Sequence, residues 1–91
     1  MRYLVTYDII DDRRRTRLAK ALKDFGHRVQ YSVFEALLEP GLFEKMISRI
    51  SKIIDPKEDS VRIYPICQRC EREILIVGQG EVKEDKDVYI F

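Results

Sequence analysis

The residues of this 91-residue chain whose types and spacing suit chemistry lie close together near its start. Asp8 closes a hydrophobic run, Tyr3-Leu4-Val5-Thr6-Tyr7, and Arg13, Arg14, Arg15 and Arg17 all follow within nine residues of it. A carboxylate at the end of an apolar strand is costly unless it is solvated, paired or bound to a cation. An acidic group able to hold a divalent ion, beside guanidinium groups able to hold phosphates, suits phosphodiester chemistry. The competing reading is a strand-end carboxylate paired with one of those arginines. The arginines fall in the first turn of the helix predicted next, where the macrodipole disfavours cations. An anionic partner therefore explains their clustering better than solubility does, whereas Lys20 and Lys23 fit a solvated basic face.

Charge distribution agrees. Lys and Arg number 17 against 16 Asp and Glu, a net +1. Residues 1–34 hold eight basic against four acidic side chains, and residues 35–91 hold nine against twelve, so the halves carry +4 and −3. Positive charge gathered on one part of a near-neutral chain points to a localised anion site. The two cysteines form one motif, Cys67-Gln68-Arg69-Cys70. That is two ligands where structural zinc needs four, and His27 is distant in sequence. The late position also argues against a thioredoxin-like motif. Two reduced thiols are expected, with a four-cysteine site shared by two copies as the alternative.

The elements that must position these groups follow from periodicity. Residues 2–9 read as a strand with Tyr3, Val5 and Tyr7 on one face and Leu4, Thr6 and Asp8 on the other. Asp11 or Asp12 caps a helix over 12–25, with Leu18, Ala21, Leu22 and Phe25 as its core stripe and Gly26 as its C′ residue. Residues 28–38 read as a strand split near Tyr31–Val33, broken by Pro40-Gly41. A helix over 41–54 presents Leu42, Phe43, Met46, Ile47, Ile50, Ile53 and Ile54, and Asp55-Pro56 ends it. Ser60–Cys67 is a strand whose Pro65 predicts an edge or bulge. Glu73–Val77 reads as a fourth strand, followed by a Gly78-Gln79-Gly80 turn and a solvated loop, Glu81–Asp87. The apolar end, Val88-Tyr89-Ile90-Phe91, wants a sheet edge, which a second copy could supply.

The order β-α-β-β-α-β predicts one α+β domain over residues 1–91, a ferredoxin-like sandwich with helices on one face of an antiparallel sheet. The face carrying Asp8 then has nothing in this chain to cover it. A dimer packed sheet to sheet would bury that face and bring two Asp8 carboxylates near a twofold axis, where like charges need a cation or proton between them. No signal peptide or membrane-spanning run is evident, so the expected location is cytoplasmic, with no membrane partner.

Tyr7-Asp8, the arginine-rich helix start and the octet Arg28-Val29-Gln30-Tyr31-Ser32-Val33-Phe34-Glu35 together resemble the small CRISPR-associated protein 2 family, the compact partner of the CRISPR integrase. The chain length and the polar loop before an apolar end are similar too. The resemblance implies a homodimer whose C-terminal strand pairs with the partner's sheet, and Asp8 of each subunit as a ligand of one shared Mg²⁺. It implies that Tyr7 flanks the metal and that Arg15, Arg17, Arg28 and Phe34 complete the catalytic set. Arg13 and Arg14 would serve as phosphate contacts. The activity implied is a metal-dependent endonuclease of CRISPR adaptation acting on single-stranded RNA or double-stranded DNA. The alternative is a non-catalytic scaffold that bridges integrase dimers and holds protospacer duplex DNA through Arg13, Arg14, Arg15, Arg17 and Arg28. Glu81, Glu84, Asp85 and Asp87 would then form either a docking surface for the integrase or a merely solubilising loop. A single-stranded-RNA module of the RRM kind fails, because no strand carries its paired-aromatic pattern. The cysteine pair is not part of the resemblance.

Overall fold

A computed structural model of the protein describes residues 1–83. Four strands, β1 (Arg2–Asp8), β2 (His27–Gln30), β3 (Val33–Leu37) and β4 (Ser60–Ile66), form one antiparallel sheet in the order β2-β3-β1-β4. Helices α1 (Asp12–Leu22) and α2 (Pro40–Ile53) follow β1 and β3, and a short α3 (Gln68–Glu71) follows β4. This is the ferredoxin-like α+β architecture that the pattern predicts. Val5 and Tyr7 of β1 and Phe34 and Ala36 of β3 pack against Leu18 and Leu22 of α1 and Met46 and Ile50 of α2.

Local chemistry sets the boundaries. Asp11, rather than Asp12, caps α1: its side chain accepts the Arg14 backbone N–H at 2.9 Å. The helix closes three residues earlier than predicted, through i→i−3 bonds from Asp24 N to Ala21 O and from Phe25 N to Leu22 O, yet Phe25 still reaches the core. Gly26 is not a left-handed C′ residue. It is needed because a Cβ there would lie 2.2 Å from the Glu35 carbonyl oxygen, where the chain passes against β3. β3 ends before Pro40-Gly41, as expected, and Pro40 itself starts α2, since its fixed φ and missing N–H suit the first helical position. The split of residues 28–38 falls at Tyr31–Ser32, and the register slips between Arg28 and Gln30.

Two expectations are corrected. Glu73–Val77 is not a strand; Cys67 turns the chain into α3, and the outer edge of β4 is unpaired among the described residues. Nor is the sheet's second face bare. Ile74–Ile76 and Gln79–Glu81, with Lys83, line a cavity of about 540 Å³ with Leu4, Thr6, His27 and Glu35. The physical reason is Arg2, which points to that face and is 0% exposed. A buried guanidinium needs partners, and it draws in Glu35 at 2.9 Å, Glu71 of α3 at 3.1 Å and the Lys83 carbonyl. The expected strand Val88–Phe91 and the acidic residues Glu84, Asp85 and Asp87 lie outside the described residues. No helix among the described residues is long and apolar enough to cross a membrane.

Candidate nucleic-acid interface and metal ligand

The end of β1, the Tyr31–Ser32 turn, the start of α1 and the start of β4 meet at one end of the sheet. Asp8 pairs in register with Ser60, Thr6 with Val33, and the Tyr7 N–H donates to the Ser32 carbonyl at 3.1 Å. Between α1 and β2 at this end lies a cleft of about 410 Å³ lined by Tyr7, Arg15, Thr16, Ala19, Lys20, Lys23, Arg28 and Tyr31. Three residues that sequence placed together, Tyr7, Arg15 and Arg28, do meet here. Phe34 lies beneath them, its ring 5.3 Å below the Arg28 guanidinium and 6.3 Å from the Tyr7 ring. The cation–π contact orients Arg28 without neutralising it. Arg15 is aimed by the Ile9 carbonyl at 2.8 Å and by Asp12.

The remaining arginines go elsewhere. Arg14 binds Asp59 through two bonds, 2.8 and 3.3 Å, with Glu58 at 3.5 Å. Its hydrogen bond holds Asp59 below the usual carboxylate range, and Asp59 in turn raises the Arg14 guanidinium. This pair fastens α1 to the turn after α2, and Asp59 also accepts the Asp55 N–H at 2.8 Å. Arg13 is exposed beside Asp11, Asp12 and Glu58. Arg17 faces a separate groove between α1 and α2, with Lys20, Arg49 and Lys52. Lys20 and Lys23 are exposed, as a solvated basic face requires, and the α1–β2 crossing places both at the cleft. A neighbouring basic strand residue, Arg28, was the available signal.

Asp8 is exposed, and its carboxylate forms no ion pair among the described residues. The pairing with an arginine considered above is therefore not made. By strand alternation it points to the face opposite Tyr7 and the cleft. Among the described residues no three His, Cys, Asp or Glu side chains come together to hold a metal. Asp8 fits Mg²⁺ in kind, as an unengaged hard oxygen donor, and among the described residues no second donor joins it. Cys67 and Cys70 are both exposed free thiols. The Cys70 N–H donates to Cys67 Sγ at 3.5 Å, lowering the Cys67 pKa, while the hydrogen bond with Cys67 raises that of Cys70. Burial pushes the His27 imidazole below its ordinary value, against the upward pull of Glu35.

A ferredoxin-like sheet with a cation-lined cleft and an exposed carboxylate at one end defines a small α+β protein. The family of CRISPR associated protein Cas2 matches residues 1–74. The CRISPR-associated endoribonuclease Cas2 3 of Chloroflexus aurantiacus is 44% identical over 96% of this chain and 94% of its own length. The crystal structure of Streptococcus pyogenes Cas2 at pH 6.5 aligns with TM-score 0.76 and 37% identity over 86% of this chain and 100% of that one. A chain of a partial Cas6-RT-Cas1–Cas2 complex aligns with TM-score 0.73 and 28% identity, over 84% of this chain and 89% of that one. The chain belongs to the Cas2 family of CRISPR-associated proteins.

Proposed function

We propose that this chain is a homodimeric, Mg²⁺-dependent endonuclease of CRISPR adaptation, with Asp8 of each subunit holding one shared ion. The observation that carries this reading is the free, exposed Asp8 carboxylate at the same sheet end as the cationic cleft. The β4 edge, unpaired among the described residues, and the exposed apolar side chains of Leu75 and Val77 support a second copy as the missing donor's source. When bound, Mg²⁺ supplies Lewis-acid polarisation of the scissile phosphate and a lowered pKa for water. The chain's own part is to hold the nucleic acid, with Arg15, Lys20, Lys23 and Arg28 neutralising backbone phosphates without reading sequence. Single-stranded RNA and duplex DNA are both substrates this chemistry admits.

A second reading has its own observation. The cations and the carboxylate lie on opposite faces of the sheet, so the cleft holds phosphates away from Asp8. That arrangement suits a non-catalytic scaffold that grips protospacer duplex DNA between integrase dimers, and the likeness to a chain from a complex containing Cas1 supports it.

The test is cleavage of labelled single-stranded RNA and duplex DNA by wild type and Asp8→Ala, with Mg²⁺ or EDTA, at matched dimer mass. Mg²⁺-dependent cleavage that disappears in Asp8→Ala supports the enzyme and names its substrate. Absence of cleavage with salt-sensitive duplex binding retained leaves the scaffold, and equal cleavage by both proteins defeats the assignment of Asp8.

A further inference from the structure

Tyr31 is the feature of the cleft that phosphate binding leaves unexplained. It is 83% exposed, yet a tyrosine ring is usually more than half covered in a folded chain. It does not hang on a loose loop: the turn it shares with Ser32 is fastened to β1 by the Tyr7 N–H to Ser32 carbonyl bond of 3.1 Å. Its ring lines the same cleft as Arg15, Lys20, Lys23 and Arg28. An exposed π-face on an anchored turn, beside four cations, is an arrangement that recognises one unpaired nucleotide, with the base on the aromatic face and the phosphate among the cations. The cleft, about 410 Å³, falls in the range of small-ligand clefts, roughly 300–1,000 Å³. A duplex can place its phosphates among the cations, but its bases are already stacked on one another and offer no free face to the ring.

We infer that Tyr31 is a base-stacking residue and that the cleft takes a single-stranded nucleotide at a duplex end or within a single strand. This rests on the reading of the cleft as a nucleic-acid site and adds to it a preference for unpaired over fully paired ligand.

The experiment measures binding of a labelled single strand, a blunt duplex and the same duplex with single-stranded tails, to wild type, Tyr31→Phe and Tyr31→Ala. Removing one base-stacking contact weakens binding by roughly 5- to 150-fold. The expectation is a loss in that range for Tyr31→Ala on the single strand and the tailed duplex, little change on the blunt duplex, and near-wild-type binding by Tyr31→Phe on all three. Unchanged binding by Tyr31→Ala, equal loss on all three ligands, or a Tyr31→Phe as weak as Tyr31→Ala would overturn the inference. The last result would mean that the hydroxyl, not the ring, makes the contact. Retained binding without a preference for unpaired ligand defeats the stacking role alone. Failure of wild type to bind any of the three defeats the underlying assignment of the cleft and the inference with it.

Discussion

Neutralising Arg28 should change how salt weakens nucleic-acid binding, and by an amount the cleft fixes. Arg15, Lys20, Lys23 and Arg28 line it, and each phosphate contact contributes about −0.9 to the slope of log affinity against log salt for duplex DNA, or about −0.7 for a single strand. Four contacts give slopes of about −3.6 and −2.8 per cleft engaged, so raising salt from about 50 to 200 mM weakens binding roughly 150-fold or 50-fold. Arg28→Gln removes one contact and should make the slope shallower by about 0.9 or 0.7. Arg14→Gln is the structural control. Its guanidinium is committed to Asp59 and Glu58, so the slope should not move. Fluorescence anisotropy of a labelled oligonucleotide across a salt series reads both. An unchanged slope in Arg28→Gln, or an equal change in Arg14→Gln, would refute the division between phosphate-binding and structural arginines.

Three further outcomes follow from the packing. Gly26→Ala forces a Cβ to within 2.2 Å of the Glu35 carbonyl oxygen; overpacking of this kind costs about 1–3 kcal/mol, or upwards of about 4 °C in melting temperature for a domain of this size, and an unchanged melt at equal protein concentration would contradict it. Because Arg14 depresses the Asp59 pKa from 3.8, the pair's contribution is present above that value and lost as pH falls through the folded one; Asp59→Asn should flatten the acid limb of stability, read by chemical denaturation against pH. Cys67, whose pKa is lowered while that of Cys70 is raised, should alkylate first near neutral pH, and mass spectrometry of peptides after brief iodoacetamide treatment would show faster labelling of Cys70 if that ordering is wrong.

The architecture was readable because the periodic signals are local. Alternation in β1 and β3 and the stripe of Leu18, Ala21 and Leu22 identify strands and helix without knowledge of partners. Tyr7, Arg15 and Arg28 converge as the octet and the arginine run suggest. What the sequence hid depends on contacts between distant residues. Arg2 reads as an ordinary basic residue at a chain start, and only its pairing with Glu71, 69 positions away, shows why residues 67–71 form a helix instead of extending the sheet. Gly26 reads as a helix stop because its neighbour in space, the Glu35 backbone, cannot be seen from its neighbours in sequence. Arg13, Arg14, Arg15 and Arg17 look equivalent in a run, but a turn of helix separates their directions, and Asp59 claims one of them. Lys20 and Lys23 become cleft residues only once β2 lies alongside α1.

The central claim is that two Asp8 carboxylates from a pair of chains share one divalent ion. Its most direct test is titration of wild type and Asp8→Asn with Mn²⁺ as a paramagnetic stand-in for Mg²⁺, following free ion by electron paramagnetic resonance at known dimer concentration. The account predicts one ion bound per two chains in wild type and none at that site in Asp8→Asn, with dimer mass unchanged. One ion per chain, or the same stoichiometry and affinity in Asp8→Asn, would contradict it.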